Sequence, residues 1–184
     1  MPRVAVIVGS LRKNAYSRLV SRVLIASAPD HINMKLVEIG QLPFYNQDLE
    51  EAQPPEPWLA FRHTIKAVDA VLFVTPEYNR SMPAALKNAI DVGSRPRGQN
   101  IWSEKAAGVV SVSPGAIGGF GANNHLRQSL MAVNMPTLQH PEAYIGGVAP
   151  FFDSNGELIN DDTRAFLKLF MDTFATWIDT VRKK

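Results

Sequence analysis

The chain of 184 residues carries 19 basic and 17 acidic residues, for a formal net charge of +2, and contains no cysteine. A domain of this length buries roughly 70% of its extended surface and can form a core without covalent links. The composition excludes disulfides, thiol redox centres and thiolate metal sites, and the small, scattered charge gives little support for nucleic-acid binding.

The first predicted element is a buried strand at residues 4–8, followed by a loop and a helix. Residues 4–8 are all apolar and four of them are β-branched, which is typical of a parallel strand covered by helices on both faces. Gly9 ends the strand, and from Tyr16 onward apolar side chains recur every three or four residues, as on one face of a helix. The loop between them therefore lies at a helix N-terminus.

This first loop is predicted to bind an anion. The free N–H groups and the positive dipole end of a helix N-terminus attract phosphate. Ser10, Asn14 and Ser17 supply neutral hydrogen-bond donors. Arg12 supplies a guanidinium group whose N–H groups match phosphate oxygens in shape and charge. The alternative is that Ser10 or Asn14 only caps the helix and that Arg12 is solvated.

Missing motifs narrow the kind of anion site. The loop contains neither G-x-x-x-x-G-K-[ST] nor G-x-G-x-x-G, which excludes a P-loop NTPase and disfavours a dinucleotide-binding Rossmann turn. No acidic pair follows the first strand, which disfavours a magnesium-binding receiver domain. Without cysteine the loop is not that of a low-molecular-weight tyrosine phosphatase. A phosphate held without metal or nucleophile suggests a tightly bound mononucleotide.

Strands and helices alternate further along the chain. Residues 34–39 alternate apolar and polar side chains, which predicts a half-buried strand near a sheet edge. A long loop with a proline cluster follows and is a candidate lid. Its aromatic residues Phe44 and Tyr45 either line a ligand mouth or anchor the loop, and anchoring is favoured. Residues 58–68 have helical spacing and residues 70–74 are apolar, so a right-handed parallel crossover is expected here.

A second polar loop follows the strand at residues 70–74. It contains Pro76, Glu77, Tyr78 and Asn79, and a helix over residues 84–92 comes after it. Ligands of open α/β sheets bind at the carboxyl ends of the strands, so this loop and the first are predicted to face one crevice. Glu77 also admits a structural role, as the ion-pair partner of a residue such as Arg80 or Arg95.

A third loop follows the strand predicted at residues 106–112. It contains Ser113, Gly115 and Gly118 among other small residues, and a helix over about residues 123–133 comes after it. Glycines allow positive φ angles and let backbone N–H groups approach a ligand closely. Three loops that each follow a strand therefore predict one binding crevice.

The end of the chain supplies the last elements. Residues 137–145, broken by Pro141, predict the fifth strand, and the final helix has a strongly apolar face. Five strands alternating with helices indicate an α/β, flavodoxin-like, doubly wound parallel sheet of order 2-1-3-4-5, with helices on both faces. A single domain is expected over residues 1–184. No signal-peptide pattern and no apolar run of roughly 20 residues is found, so a cytoplasmic protein is expected.

Three segments together resemble the NADPH-dependent FMN reductase family of flavodoxin-like proteins, and especially its quinone and chromate reductase branch. The segments are GSLRK at residues 9–13, TPEYN at 75–79 continued by ALKNAID at 85–91, and Gly118-Gly119 followed by HLRQ at 125–128. The resemblance covers nearly the whole chain, and it depends on the order and spacing of these segments.

The resemblance implies which residues hold FMN. Those for the phosphate are Ser10, Arg12 and Ser17, with Asn14 as a further candidate. Those along the ribityl chain and isoalloxazine are Pro76, Glu77, Tyr78 and Asn79. Those at the pyrimidine edge are Ser113, Gly115 and Gly118. The chain departs from the family pattern at Ala15, where serine is common, and at Ser17, where asparagine is common.

The resemblance also implies an enzyme in which NADPH or NADH passes hydride to bound FMN, and a quinone, chromate or free flavin then takes the electrons. The flavin carries the chemistry, so no catalytic side chain and no metal is predicted. Family members commonly form dimers or tetramers, with the helix after Pro76 at the contact; Leu86, Ile90 and Val92 fit either such a contact or the core. No membrane or nucleic-acid partner is expected.

Two other functions stay open at this point. One is a flavodoxin-like electron carrier that does not oxidise NAD(P)H directly, and the other is a scaffold that has lost FMN. Carriers of that type are usually strongly acidic, whereas this chain has a net charge of +2. The charge therefore favours the enzyme.

Overall fold

A computed structural model describes residues 1–183 and shows a parallel β-sheet between two layers of helices. The strands are β1 (Arg3–Val8), β2 (Asn33–Val37), β3 (Ala70–Pro76), β4 (Ala106–Val112) and β5 (Ala143–Ile145). Their order is β2-β1-β3-β4-β5, and every neighbouring pair is parallel. The predicted flavodoxin-like fold is confirmed. The predicted domain ends at Lys184, which lies outside the described residues.

Helices cover both faces of the sheet. They are α1 (Tyr16–Ala26), α2 (Gln47–Ala52), α3 (Glu56–Lys66), α4 (Ala84–Gly93), α5 (Phe120–Ala132) and α6 (Asp161–Arg182), with a 3₁₀ turn at Ala149–Phe151. Alternate side chains of β1 point to opposite faces, so Val6 packs with α1 and α6 while Ile7 packs with α3, α4 and α5. This double coverage is the reason that the run at residues 4–8 is apolar throughout.

The apolar residues of α4 belong to the core. Leu86, Ile90 and Val92 are 0%, 2% and 0% exposed and pack with α3 and the sheet. The sequence allows these residues to form either a subunit contact or part of the core, and the structure places them in the core. A contact with another copy would have to use other side chains of α4.

The segment between β2 and α3 is not the irregular loop that the prolines predicted. It contains α2, whose N-terminus is capped by Asn46, because the Asn46 side chain accepts a hydrogen bond from the Asp48 N–H at 2.9 Å. Its backbone is also fastened to the neighbouring helices: the Trp58 indole donates to the Pro43 carbonyl at 2.9 Å, and the Tyr45 N–H donates to Asn88 Oδ1 at 2.8 Å. The interpretation as a lid is therefore not supported.

Other boundaries shift by a few residues. The last strand is confined to Ala143–Ile145, and Thr137 forms only an isolated bridge to Ala107. β2 ends at Val37, before the predicted end at residue 39. As predicted, β2 is an edge strand with partly exposed side chains. α5 begins three residues earlier than predicted, at Phe120, directly after a glycine at positive φ.

Candidate functional site

The loops after β1, β3 and β4 meet at one edge of the sheet and enclose a cavity. Parallel neighbouring strands end at the same edge, so loops that are far apart in the chain come together there. The residues that line the cavity are Ser10, Arg12, Ala15, Tyr16, Ser17, Pro76, Glu77, Tyr78, Val112, Ser113 and Pro114. The crevice predicted from the sequence is thus present in the fold.

The predicted site residues divide into two groups. Those that line the cavity are Ser10, Arg12, Ser17, Pro76, Glu77, Tyr78 and Ser113. Those that do not line it in the described structure are Asn14, Asn79, Gly115 and Gly118. A role in cofactor binding stays a prediction for both groups.

The N-terminus of α1 lines this cavity and has hydrogen-bond donors that no other described residue uses. The N-cap residue is Ala15, and no described side chain caps the helix, so the alternative in which Ser10 or Asn14 caps it is wrong. Ser17 is 1% exposed, and its hydroxyl has no hydrogen-bond partner within residues 1–183. An unpaired buried hydroxyl costs about 1–3 kcal/mol. Such a group at a helix N-terminus is suited to donate a hydrogen bond to an anion.

Arg12 adds a positive charge at the rim of the same cavity. It is exposed and forms no ion pair with another described residue. Its guanidinium group is therefore available for a ligand, and it has five N–H donors. Together with the start of α1, it makes this end of the cavity suitable for a phosphate group.

The first and second loops are in direct contact. The Gly9 N–H donates to the Val74 carbonyl at 2.9 Å, and a Cβ atom at Gly9 would lie 2.9 Å from Thr75 Oγ1. A side chain at residue 9 would therefore require Thr75 or the loop to shift. Ser10 Oγ accepts a hydrogen bond from the Arg12 N–H at 3.3 Å and lies 3.4 Å from the Tyr78 hydroxyl. Tyr78 thus reaches from the second loop to the first.

The second loop forms a two-residue hairpin turn. Tyr78 and Ser81 exchange backbone hydrogen bonds of 2.8 and 3.0 Å, and Asn79 and Arg80 between them have φ angles of 49° and 67°. Positive φ at both central residues is the mark of a type I′ turn. The turn sets the direction in which the Tyr78 side chain leaves the loop.

The Glu77 carboxylate fastens this turn to the third loop. It accepts a hydrogen bond from the Ala122 N–H at the start of α5 at 3.1 Å and pairs with Arg80 at 3.2 Å. Gly121 allows this approach, since a Cβ atom there would lie 2.7 Å from the Arg80 carbonyl oxygen. Of the two partners proposed from the sequence, Arg80 is the one that Glu77 contacts.

In the third loop, Gly118 is a packing residue. It is buried with a φ angle of 61°, and its carbonyl accepts a hydrogen bond from Ser111 Oγ at 2.7 Å. A Cβ atom there would lie 2.6 Å from the carbonyl carbon of Tyr144 in β5. Burial and a hydrogen bond to Glu142 raise the pKa of Tyr144. The glycine thus lets the third loop lie directly on the last strand.

Four cavity residues are not among the predicted site residues: Ala15, Tyr16, Val112 and Pro114. Periodicity places Tyr16 on the apolar face of α1, and its ring does pack on Phe152, with ring centroids 6.5 Å apart. Its position between Ala15 and Ser17 is the signal that could have placed it beside the predicted anion site. The first residues of a helix contribute both to its buried face and to its N-terminal opening.

The described part of the chain contains neither a candidate metal cluster nor a candidate membrane-spanning helix. Among residues 1–183, no three acidic or histidine side chains are grouped so that they could hold a metal ion. None of the helices there is long and apolar enough to cross a membrane.

Known proteins resemble this chain in sequence and in fold. A family model described as NADPH-dependent FMN reductase matches residues 2–149. The chain is 62% identical over 175 residues to a quinone reductase of Pseudomonas putida, with 95% of this chain and 94% of the relative covered. It is 41% identical over 176 residues to a 2-hydroxy-1,4-benzoquinone reductase of a Burkholderia species, with 96% of each covered. In structure it matches the flavoenzyme FerB, an NAD(P)H:(acceptor) oxidoreductase from Paracoccus denitrificans, with a TM-score of 0.91, 42% identity and 98% of each chain covered.

Proposed function

This chain belongs to the NADPH-dependent FMN reductase family, and from that premise we propose that the cavity between its three loops holds FMN. The protein is an NAD(P)H-dependent FMN oxidoreductase that acts on a quinone acceptor. When bound, FMN supplies the capacity to take a hydride from NAD(P)H and pass the electrons on. The protein residues therefore have to bind FMN, orient its ring, and leave the ring accessible to NAD(P)H and the acceptor.

One observation carries the assignment of the phosphate end. Within residues 1–183, the Ser17 hydroxyl is buried without a hydrogen-bond partner at a helix N-terminus that no side chain caps, and Arg12, which lines the same cavity, forms no ion pair. An FMN phosphate would accept hydrogen bonds from Ser17, Ser10 and Arg12 and from the free N–H groups of α1. We place Asn14 at the edge of this group, because its side chain is exposed.

The remaining predicted residues hold the rest of the cofactor in this proposal. Pro76, Glu77 and Tyr78 line the cavity from the second loop, and Ser113 lines it from the third. Asn79, Gly115 and Gly118 act through the backbone, since the first sits in the tight turn and the glycines shape the third loop. A preorganised backbone of this kind fixes the ring without a side chain that acts as acid or base.

The decisive experiment is an anaerobic titration of the purified, FMN-loaded protein with NADPH. We expect the flavin absorbance near 450 nm to bleach and to return when 1,4-naphthoquinone is added. A protein that binds FMN but keeps its absorbance would be an electron carrier, and a protein that fails to bind FMN would be a scaffold. Either result would contradict the proposal.

Ser17→Ala is expected to separate cofactor binding from stability. Removing a buried, unpaired hydroxyl should leave the stability of the apoprotein unchanged or raise it by about 1 kcal/mol, while FMN affinity falls about tenfold. Chemical unfolding of the apoprotein and a fluorescence titration with FMN measure the two effects.

Ser21→Ala is the matched control on the same helix. Ser21 is equally buried, but its hydroxyl donates to the Arg18 carbonyl at 2.7 Å. Its removal should lower stability by about 1 kcal/mol and leave FMN affinity unchanged. If both variants lose stability and neither loses affinity, Ser17 has no role in binding phosphate.

We further propose that the chain self-associates as a dimer or tetramer. Phe120 and Met131 of α5 are 54% and 73% exposed, and large apolar side chains of this kind are suited to a contact.

Chromate and free flavin are further candidate acceptors, because reduction of such acceptors needs access to the flavin more than side-chain recognition. A cytoplasmic location is supported by the use of NAD(P)H as the hydride donor.

A further inference from the structure

A second cleft adjoins the cofactor cavity. Arg12 and Tyr78 line both spaces, and the Tyr78 hydroxyl lies 3.4 Å from Ser10 Oγ, which lines the cofactor cavity. The second cleft has a volume of about 600 Å³, which is within the usual range of small-molecule sites. Apolar side chains of Leu11, Leu42 and Phe44 form part of its wall.

Two of these apolar side chains are strongly exposed. Phe44 is 74% exposed and Leu11 is 53% exposed, and neither belongs to the hydrophobic core. An exposed phenylalanine gains little for folding, because most of its ring stays in water. The two aromatic residues of this segment thus differ, since Tyr45 stacks on Trp58 with ring centroids 5.5 Å apart while Phe44 faces solvent.

The backbone around Phe44 is nevertheless held firmly. Asn88 of α4, itself 6% exposed, accepts a hydrogen bond from the Tyr45 N–H at 2.8 Å and donates to the Leu42 and Pro43 carbonyls at 3.2 and 3.0 Å. The Trp58 indole also donates to the Pro43 carbonyl. Hydrogen bonds on both sides of Phe44 therefore fix the backbone from which its side chain lines the cleft.

Hydrogen-bond donors lie at the other side of the cleft. α4 begins at Ala84, which lines the cleft together with Ala85. Its first turn contains no acidic residue, and no described side chain caps it. The N–H groups of a first helical turn have no partner within the helix and carry partial positive charge. An oxygen atom that gains negative charge would be stabilised there.

We propose that this cleft binds the quinone acceptor, with the quinone ring against Phe44 and Leu42 and one oxygen near the start of α4. The inference rests on the proposed function. The reaction balances: NAD(P)H supplies two electrons and one hydrogen as hydride by way of FMN, solvent supplies the second proton, and the quinone becomes a hydroquinone. Phe44 is then a residue that determines acceptor specificity, and Asn88 is a positioning residue.

A comparison of two acceptors tests this inference. FMN-loaded wild type, Phe44→Ser and Leu169→Ser are assayed with NADPH and either 1,4-naphthoquinone or ferricyanide, a small anion with no apolar ring. For Phe44→Ser we expect the ratio of the quinone kcat/KM to the ferricyanide kcat/KM to fall about tenfold, the size of a lost apolar contact. Leu169 on α6 is 56% exposed and outside the cleft, so Leu169→Ser should keep the wild-type ratio.

A binding measurement keeps the inference separate from the proposed function. Calorimetric titration with 2-naphthol, an aromatic probe that accepts no hydride, should show binding to wild type that Phe44→Ser weakens about tenfold. Absence of naphthol binding, or an unchanged acceptor ratio in Phe44→Ser, would overturn the cleft assignment even if NADPH bleaches the flavin. An unchanged ratio with a smaller sedimenting species would identify the cleft instead as a contact between copies.

Discussion

Replacing Arg12 by alanine is expected to weaken FMN binding about a hundredfold, the largest effect on affinity that any single side chain of this site should produce. A charged hydrogen bond contributes about 1.5–3 kcal/mol, and a hundredfold change corresponds to about 2.7 kcal/mol. Arg12 is exposed and unpaired among the described residues, so its removal breaks no contact of the fold. A titration of apoprotein followed by flavin fluorescence measures the dissociation constant.

Turnover of Arg12→Ala should fall much less than affinity when FMN and quinone are both saturating. The guanidinium group binds the phosphate end, whereas hydride transfer depends on the position of the ring. Lys13→Ala is the control, because Lys13 is an exposed neighbour of the same charge that does not line the cavity, and its affinity should stay within roughly threefold of wild type. Equal loss of affinity and turnover in Arg12→Ala would contradict the assigned role.

Gly118→Ala is expected to destabilise the protein by about 3 kcal/mol or more. The φ angle of 61° costs a non-glycine residue roughly 1–2 kcal/mol. The new Cβ atom would also lie 2.6 Å from the carbonyl carbon of Tyr144, which cannot move freely because β5 pairs with β4. Such overpacking adds typically 1–3 kcal/mol. For a chain of this size the melting temperature should fall by about 10 °C.

Gly147→Ala provides the matched control for this substitution. Gly147 has a φ angle of 59°, and no described atom lies within 4 Å of the position that a Cβ atom would take. Gly147→Ala therefore introduces the backbone strain without the clash, and its free energy of unfolding should fall by only about 1–2 kcal/mol. If Gly118→Ala keeps its stability but loses FMN affinity, the glycine contacts the cofactor directly, as the family resemblance implies.

Some features of the site could be predicted because they are local. The run at residues 4–8 is apolar and β-branched, which is typical of a strand covered on both faces. In the structure α1 and α6 cover one face, and α3, α4 and α5 cover the other. The residues directly after such strands belong to loops at the carboxyl edge of the sheet. The placement of Ser10, Pro76 and Ser113 in one crevice therefore follows from their positions in the chain.

Other features depended on contacts between distant parts of the chain. The prolines at residues 54, 55 and 57 predicted a loop and gave no indication of α2. The helix begins at a side-chain cap from Asn46, and hydrogen bonds from α3 and α4 fix the backbone before it. Phe44 and Tyr45 are adjacent aromatic residues with the same local pattern, yet only Tyr45 meets Trp58. No periodicity distinguishes two such neighbours, because the difference lies in what packs against them.

The sequence by itself determined which segments form strands, to within a few residues, and which loops bear the site, since apolar periodicity and the place of a loop after a strand are local properties. The strand order followed from the doubly wound topology that alternating strands and helices indicate. Only the tertiary structure decided which donors stay free. Three features depend on which atoms the whole fold brings together: the Ser17 hydroxyl without a partner among residues 1–183, the hydrogen bond from α5 to Glu77, and the exposure of the Phe44 ring. Burial and hydrogen-bond satisfaction are properties of the packed chain, and no stretch of sequence specifies them alone.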